Sequence, residues 1–253
     1  MILTTTLLCV ITFLCLEGKM IIGFEDLKND KVVEEYYPNQ VVLDKQSGRK
    51  TVIIPDVEYI DDTCYFSMTD IDFVKIPAKV KYVGEGAFQY CDSLKTIEWG
   101  REKAETGKSD FLKIKRDAFA CTAISRLYIP KDVILCGRAF ASCQNLKDVK
   151  ILCKKENLKA KLDDIFYRCD KIQAIVLPLD VALENKDFLM NLKSLKRLVV
   201  FETDAQNNKT KEYICSKEDS NDMIFTARQN FGKVTFKDLL NKAQKHKNEE
   251  FTK

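Results

Sequence analysis

The chain has one histidine among its 253 residues, His246, and it lies in a polar stretch near the C-terminus. This scarcity leaves no imidazole to serve as the base of a Ser–His or Cys–His pair in the rest of the sequence. Glycine-rich phosphate loops and the HExxH zinc motif do not occur, and no two cysteines have the CxxC spacing of a zinc site. The sequence therefore predicts a protein that is not an enzyme and that binds no cofactor, metal ion or small-molecule substrate.

An excess of charge of one sign is also missing, because 41 basic and 38 acidic side chains leave a formal charge of +3. Domains that bind nucleic acid concentrate positive charge much more strongly, so no nucleic-acid partner is expected. The lysine-rich segment from Lys233 to Lys253 is interpreted as a solvated face. Contact with an anionic surface is the minor alternative.

Long apolar runs are rare, and the one that exists, residues 2–16, carries no charge. It is short for a membrane span and stands where a secretory signal peptide would. We expect residues 1–18 to be a signal peptide cleaved after Gly18, or alternatively after Gly23, and the protein to be secreted or displayed on the cell surface. An uncleaved leader that anchors the protein is the open alternative, and membrane contact is expected in that case alone.

What the chain has in abundance is repetition between residues 49 and 201. Each copy contains a strand whose apolar residues follow the spacing apolar-x2-apolar-x-apolar. Later in the copy comes a pair of apolar or small residues that includes an aromatic side chain, here called the aromatic anchor. A period near 22 residues predicts a leucine-rich-repeat type of solenoid, mostly β with short one-turn helices and about six to seven coils. The strand frames are residues 71–77, 94–100, 124–130, 146–152, 172–178 and 195–201, after a truncated copy at 52–55, and the aromatic anchors are Tyr65-Phe66, Ala87-Phe88, Ala118-Phe119, Ala139-Phe140, Ile165-Phe166 and Phe188-Leu189.

Two copies are longer than the others because polar, charged segments interrupt them. Residues 101–113 follow the second strand frame and residues 153–164 follow the fourth. Insertions in solenoids fall in loops on one face, where added length costs little. Both segments are expected to be solvated loops, and a role as binding loops is the weaker alternative.

This pattern resembles the BspA-like leucine-rich repeat family over about residues 50 to 201. The resemblance rests on Ile76-Pro77, Val83-Gly84, Ala87-Phe88, Cys91 and Leu94, on Ile129-Pro130 with Ala139-Phe140 and Cys143, and on the variant Phe66 to Ile71. It implies a curved solenoid on secreted or surface proteins of bacteria and protists, often surface antigens or adhesins. The chain departs from the pattern where Trp99-Gly100 and Ile151-Leu152 replace Ile-Pro and where Leu192 stands in place of the last cysteine.

Eight of the ten cysteines lie after the leader. Cys91, Cys121, Cys143 and Cys169 occupy nearly the same repeat position, so stacked coils should align them in a column about 4.8 Å apart. That spacing permits disulfides, but small buried thiols are the more frequent occupants of such a column. Free thiols are the preferred interpretation, and bridges remain open.

The two ends are expected to cap the array. Residues 19–48 carry enough apolar side chains to cover the first coil, and residues 202–253 form a C-terminal cap with a polar helical tail in which Leu239, Leu240 and Ala243 share one side. Asn208 begins an N-glycosylation sequon that a secreted eukaryotic chain could use.

The outward strand positions change in charge and size from coil to coil, which favours a foreign partner over self-stacking. We therefore expect a non-catalytic binding module for adhesion to, or recognition of, a protein or glycan, such as a host matrix component or another cell. A structural or self-associating coat protein is the alternative. The residues expected at the partner-binding face are Phe73, Lys75, Glu98, Arg126, Tyr128 and Lys150.

Overall fold

The computed structural model describes residues 41–43, 50–52, 54, 57–100, 111–203, 209–216, 224–227 and 233–235. The predicted signal peptide, most of the predicted N-terminal cap, the sequon at Asn208 and the segment after Thr235 lie outside these residues. The predictions made for them therefore stay predictions.

Short strands and turns make up most of the described chain, with brief helices towards its C-terminal side. The helices are α1 (Leu162–Ile165), α2 (Leu179–Glu184) and α3 (Lys186–Asn191), and Lys155–Asn157 form a 3-10 helix. The strands are β1 (Val41–Leu43), β2 (Lys50–Val52), β3 (Tyr59–Ile60), β4 (Phe73–Ile76), β5 (Tyr82–Val83), β6 (Thr96–Trp99), β7 (Leu112–Ile114), β8 (Arg126–Ile129), β9 (Val133–Leu135), β10 (Asp148–Ile151), β11 (Ala174–Pro178), β12 (Arg197–Thr203), β13 (Lys209–Ser216), β14 (Ile224–Ala227) and β15 (Lys233–Thr235).

The predicted strand frames form the front of a solenoid. In the first front sheet, of order β1-β2-β4-β6, the parallel strands β4 and β6 place Val74 opposite Ile97 and Ile76 opposite Trp99. The second front sheet continues in parallel from β8 through β10 and β11 to β12, and β13, β14 and β15 extend it as antiparallel strands. The register confirms the predicted solenoid, because equivalent frame positions lie opposite one another.

A second, narrower ladder forms the back of each coil. It has the order β3-β5-β7-β9, and all its pairings are parallel. Gly84, just after β5, packs against the backbone of the preceding coil. A Cβ there would lie 2.4 Å from the carbonyl carbon of Asp61, so this position requires glycine for close approach.

A third ladder joins the turns that carry the aromatic anchors. The N–H of Phe88 donates to the Ala118 carbonyl at 2.7 Å, and the N–H of Phe119 donates to the Ala139 carbonyl at 2.9 Å. Residues with a left-handed backbone conformation accompany this pairing at fixed places in each coil. This conformation is uncommon for residues other than glycine. The residues with positive φ are Thr63, Gly86, Asp117 and Arg138 before the anchors and Ser67, Tyr90, Cys121, Ser142 and Arg168 after them.

The core lies between the three ladders, and its centre is a stack of aromatic rings. Tyr65 and Phe88 have centroids 4.8 Å apart, and the spacing widens along the solenoid to 6.4 Å between Phe166 and Phe188. Phe119 and Phe140 lie between them at spacings of 5.0 to 6.2 Å. Offset stacking of this kind adds to the hydrophobic stabilisation that burial supplies. In the first anchor pair Tyr65 supplies the ring, since Phe66 is exposed.

The two predicted insertions are only partly loops. Residues 112–114 form β7, and Leu112 is fully buried, so the prediction of a solvated loop is wrong for the end of the first segment. Residues 101–110 lie outside the described residues. The second segment contains the 3-10 helix, the start of α1 and the buried Leu162, and its Leu158 bridges to Leu135 at the end of the back ladder. This segment packs on the coils, so the expectation of a solvated loop is wrong for it.

The front of the solenoid has a break that the repeat pattern does not predict. The frames imply that β6 and β8 are adjacent paired strands, but they belong to separate sheets. The Trp99 indole N–H donates to the Tyr128 carbonyl oxygen, a backbone group on the facing strand, and its ring contacts Phe119 edge-on. Ile97, whose equivalents on the other front strands are buried, is half-exposed beside the break.

Candidate interaction surface

The outward side chains of β4, β6, β8, β10, β11 and β12 form one surface, here called the front face. Along each strand buried and outward residues alternate, since the side chains of a strand point to opposite sides of a sheet. The six residues expected to bind a partner all occupy outward positions: Phe73 and Lys75 on β4, Glu98 on β6, Arg126 and Tyr128 on β8, and Lys150 on β10.

The register pairs these residues across neighbouring coils. Lys75 lies opposite Glu98, and their charged atoms are 2.7 Å apart. On the second sheet Arg126 lies opposite Asp148 at 3.5 Å, and the Lys150 ammonium lies over the Tyr128 ring, 5.2 Å from its centroid. Exposed pairs of this kind contribute little to stability. They therefore set the charge pattern of the front face more than they hold the fold together.

Asp148 was not among the six residues expected to bind a partner, although the strand frame predicts that it points outward. It neutralises part of the charge of Arg126, so a partner that approaches Arg126 also meets a carboxylate. The register, which places residues 126 and 148 directly opposite, is the observation that identifies it.

The break between β6 and β8 divides the six residues into two groups. Phe73, Lys75 and Glu98 lie on the first front sheet, and Arg126, Tyr128 and Lys150 lie on the second. The two groups meet where Trp99 reaches the backbone of Tyr128. The front face is thus two adjoining patches, rather than the single continuous strand column that the repeats imply.

The front face becomes apolar towards the C-terminal strands. Lys150 on β10 lies opposite Val176 on β11, which lies opposite Val199 on β12. Lys150 is exposed and Val176 is half-buried, whereas Val199 is only 1% exposed although it occupies an outward position. The expectation that outward positions are solvent-accessible therefore fails at Val199, although Arg197 on the same strand is exposed.

The cysteines whose side chains the structure describes form no disulfide, and three of them share one structural role. The Sγ atoms of Cys91, Cys143 and Cys169 donate to the carbonyl oxygens of Tyr65, Phe119 and Phe140, which are the aromatic anchors of the preceding coils, at 2.9, 3.3 and 3.1 Å. The cysteines that form no disulfide in the described part of the chain are Cys64, Cys91, Cys121, Cys136, Cys143, Cys153 and Cys169.

Cys121 is not part of this column, which corrects the sequence prediction. It stands two residues after its anchor, whereas the column position is three residues after. Thr122 takes that position, and its buried hydroxyl bonds the Phe119 carbonyl at 3.0 Å.

Burial raises the pKa of the Cys91 thiol to about 12 and that of the Cys153 thiol to about 12. Both thiols are thus protonated at neutral pH, and they are poor nucleophiles.

Exposed aromatic side chains also occur away from the front face. Tyr59 on β3 stacks on Tyr82 of β5 with centroids 5.1 Å apart. Tyr167, beside an anchor, has the guanidinium carbons of Arg138 and Arg168 each 5.3 Å from its ring centroid. Sequence reasoning missed these residues because it considered the front strands alone, although their positions relative to the anchors are regular. Among the residues whose burial the structure describes, the exposed aromatic ones are Tyr59, Phe66, Tyr90, Phe111 and Tyr167.

Sites for a metal ion or a membrane span can be sought only in the part of the chain that the structure describes. Within that part, no three histidine, cysteine or acidic side chains come together in a way that could hold a metal ion. None of the helices described is both long enough and apolar enough to cross a membrane.

Comparison with solved structures finds other leucine-rich repeat proteins. One from T. pallidum is 19% identical, with a TM-score of 0.45 over 58% of this chain and 68% of its own. One from Bacteroides ovatus ATCC 8483 is 22% identical, with a TM-score of 0.33 over 50% of this chain and 39% of its own. A leucine rich cell surface protein from Faecalibacterium prausnitzii A2-165 is 19% identical, with a TM-score of 0.26 over 60% of this chain and 54% of its own.

No curated protein matches the sequence. The family model described as the BspA type leucine rich repeat region does match it, in six copies that span residues 45–162 and 112–242. These residues include all the front strands from β2 to β12 and the whole aromatic stack. By its repeats, the chain belongs to the BspA-type leucine-rich repeat family.

Proposed function

We propose that the protein is a secreted or cell-surface binding module without catalytic activity, and that its front face holds a protein or glycan partner. The observation that carries this proposal is the outward row from Lys75 to Lys150, whose charges and aromatic rings change from coil to coil. A lattice of identical copies would favour a uniform row. A mixed row favours a foreign partner, because complementary charges select one partner and exclude others.

The backbone ladders support this proposal, since parallel pairing holds the outward residues rigid within each of the two patches. Strands β8, β10 and β11 are joined by parallel pairing in continuous register. A partner that binds such a surface has little backbone to order, which removes one cost of association. Tyr128 and Arg126 are also of the residue types that dominate binding energy at interfaces.

Export is proposed on the basis of the leader. The uncharged apolar residues 2–16 and the surface or secreted character that the family resemblance implies both support it. Residues 19–48 and 202–253 are proposed as the two caps, since a solenoid needs its end coils covered to stay soluble.

The test compares two charge reversals in the chain from residue 19 onward. Lys150→Glu changes the front face, and Lys113→Glu makes the same change of charge on the back strand β7. Binding to a panel of immobilised matrix proteins and oligosaccharides is measured by surface plasmon resonance at low and physiological salt. We expect Lys150→Glu to weaken the association that the unmodified chain shows by about tenfold or more and Lys113→Glu to leave it within about twofold.

Equal effects of the two reversals would contradict the front face as the site. Loss of binding on deletion of residues 101–110 alone would place the site on the inserted segment instead. The thermal midpoint of each variant is measured as well, so that a folding defect is not taken for a binding defect.

A structural coat protein is the second candidate, and the exposed aromatic rings away from the front face favour it. Tyr59 on the back strands is exposed and stacks on the half-buried Tyr82, and a second copy could cover it. Sedimentation of the chain alone distinguishes the two candidates. Concentration-dependent assembly that Tyr59→Ala abolishes and Lys150→Glu does not would establish the coat.

A further inference from the structure

Positive charge is concentrated on one part of the front face. On β8, β10, β11 and β12, together with the residue that precedes each strand, the outward positions carry five basic side chains and one carboxylate, that of Asp148. This region therefore has a net charge of +4, although the whole chain has a formal charge of only +3. The basic side chains, here called the basic patch, are Arg126, Lys147, Lys150, Lys196 and Arg197.

On the first front sheet the charges at the corresponding positions cancel. Strands β4 and β6, with the residue that precedes each, carry two lysines and two carboxylates there, namely Asp72, Lys75, Lys95 and Glu98. The break between β6 and β8 thus separates a patch without net charge from a strongly basic one. Attraction of an anionic partner is expected at the second patch alone.

Backbone pairing holds the basic patch in rows that cross the strands. In one row the register runs from Arg126 on β8 through β10 and β11 to Arg197 on β12. In the row just before the strands, the N–H of Gln173 donates to the Lys147 carbonyl and the N–H of Lys196 donates to the Gln173 carbonyl, both at 2.8 Å. The two arginines are therefore three strand intervals apart, about 14 Å, and the two lysines are two intervals apart, about 10 Å.

The side chains of the basic patch are exposed, and little of their charge is neutralised within the described part of the chain. The Asp148 carboxylate lies 3.5 Å from the Arg126 guanidinium, and the Lys150 ammonium lies over the Tyr128 ring. Among the described residues, the other three members of the patch form no ion pair. A bound anion would therefore displace no carboxylate at those three positions, and their attraction for it extends over about 8 Å at physiological salt.

The surface between these charges suits a polysaccharide better than a protein. Protein interfaces have a desolvated apolar core from which lysine is depleted. Between the cations, Ala174 and Val176 are half-buried and Val199 is 1% exposed, so little apolar surface is left to form such a core. A linear polyanion needs no apolar core, because it binds through its charges and the release of counterions. Sulfate and carboxylate groups also match the forked guanidinium of arginine.

We infer that the basic patch binds a linear polysaccharide that carries sulfate or carboxylate groups. This inference rests on the proposed function and names the class of partner that the second patch of the front face takes. The polymer runs across the strands along the two rows, so that its anionic groups reach Lys147, Lys196 and Arg197. Asp148 opposes its binding, because it is the one carboxylate among these outward positions.

Three forms of one polymer serve as probes for the full-length chain: dextran sulfate, carboxymethyl dextran and neutral dextran. Lys147→Gln with Lys196→Gln removes two charges from the basic patch. Lys131→Gln with Lys159→Gln removes two charges from exposed lysines outside the front strands and is the matched control. The thermal midpoints of the two variants should agree, since all these lysines are exposed.

We expect the unmodified chain to bind the charged polymers and not neutral dextran. The patch variant should bind about tenfold or more weakly at physiological salt and should show a shallower salt dependence, since fewer counterions are released. The control should stay within about twofold of the unmodified chain. Asp148→Asn should tighten binding by about twofold or more, because it removes a repulsive charge; weaker binding of this variant would overturn the inference.

Three other outcomes would also overturn it. Equal binding by the patch variant and the control would place the polyanion site elsewhere, such as in the lysine-rich segment from Lys233 to Lys253. Equal or tighter binding of poly-glutamate, with the same loss in the patch variant, would identify an acidic protein as the partner. If neither charged polymer binds while Lys150→Glu weakens association with a member of the matrix panel, this inference fails and the proposed function stands.

Discussion

The aromatic stack leads to a graded prediction for truncation of its rings. Phe119 is fully buried and has three ring neighbours, Phe88 at 5.0 Å, Phe140 at 5.4 Å and Trp99 at 6.2 Å. Phe188 ends the stack, is half-buried and has one ring neighbour at 6.4 Å. Phe119→Ala should therefore cost much more free energy of unfolding than Phe188→Ala.

The magnitudes follow from the environment of each ring. Replacing a buried phenylalanine by alanine lowers the free energy of unfolding by about 3–5 kcal/mol. Because Phe119 has three ring partners, its loss should be at the upper end of this range, about 5 kcal/mol. Phe188 is half-buried, so it contributes about half of the free energy that full burial of such a side chain supplies. Phe188→Ala should therefore cost about 1–2 kcal/mol. The difference of about 3 kcal/mol is a large share of a typical domain's stability of about 5–15 kcal/mol.

Equilibrium unfolding in urea measures both variants with two probes. Circular dichroism follows the strands, and fluorescence follows Trp99, which is the sole tryptophan of the chain and contacts Phe119. We expect coincident transitions, with the midpoint of Phe119→Ala far below that of Phe188→Ala. Equal losses in the two variants would refute the reasoning, since they would mean that position in the stack does not matter.

Three further predictions concern the thiol column, alkaline pH and export. Thr122→Val should lower the free energy of unfolding by about 0.5–1.5 kcal/mol in urea titration, because the buried bond from Thr122 to the Phe119 carbonyl is lost while the Cys143 thiol still bonds that carbonyl; an unchanged midpoint would contradict this role. Burial raises the pKa of the Cys91 thiol from 9.0 to about 12. The unfolded chain therefore loses this proton at a lower pH than the folded chain, so the contribution of the buried thiol to stability is complete below pH 9 and is lost as the pH rises towards 12. Cys91→Ala should accordingly lose less stability between pH 9 and 11 than the parent chain does, by about 1 kcal/mol per pH unit, and parallel pH curves would contradict the raised pKa. N-terminal sequencing of protein recovered outside the producing cells should begin between Lys19 and Phe24, and an intact Met1 on a cytosolic pool would contradict export.

The break in the front face bears on how a partner would bind. Trp99 occupies the junction, where its indole bonds the Tyr128 backbone. The two patches share no strand pairing on the front, although the back ladder joins β7 to β9 in the same two coils. A partner that spans both patches would contact Glu98 on one and Arg126 on the other.

Local patterns were sufficient for the inner part of this molecule. The strand spacing predicts which residues are buried, because side chains alternate between the two sides of any strand, whatever it pairs with. Val74, Ile76, Leu127 and Ile129 are accordingly in the core as predicted. The anchor spacing predicts the stack for the same reason, since each coil repeats the environment of its neighbour.

The tertiary structure decided the features that depend on how neighbouring coils meet. Thr122 rather than Cys121 occupies the column position, and its hydroxyl bonds the carbonyl of its own anchor, Phe119, whereas the thiols of the column bond the anchors of the preceding coils. The division between β6 and β8 depends on the packing of one indole against the next coil. Val199 is outward by pattern but buried by contact. The sequence by itself thus determined the repeat and its inner side, whereas contacts between distant segments decided which outward residues are exposed to water. The reason is that alternation along a strand specifies the direction of each side chain. The exposure of that side chain depends on which other residues pack on it.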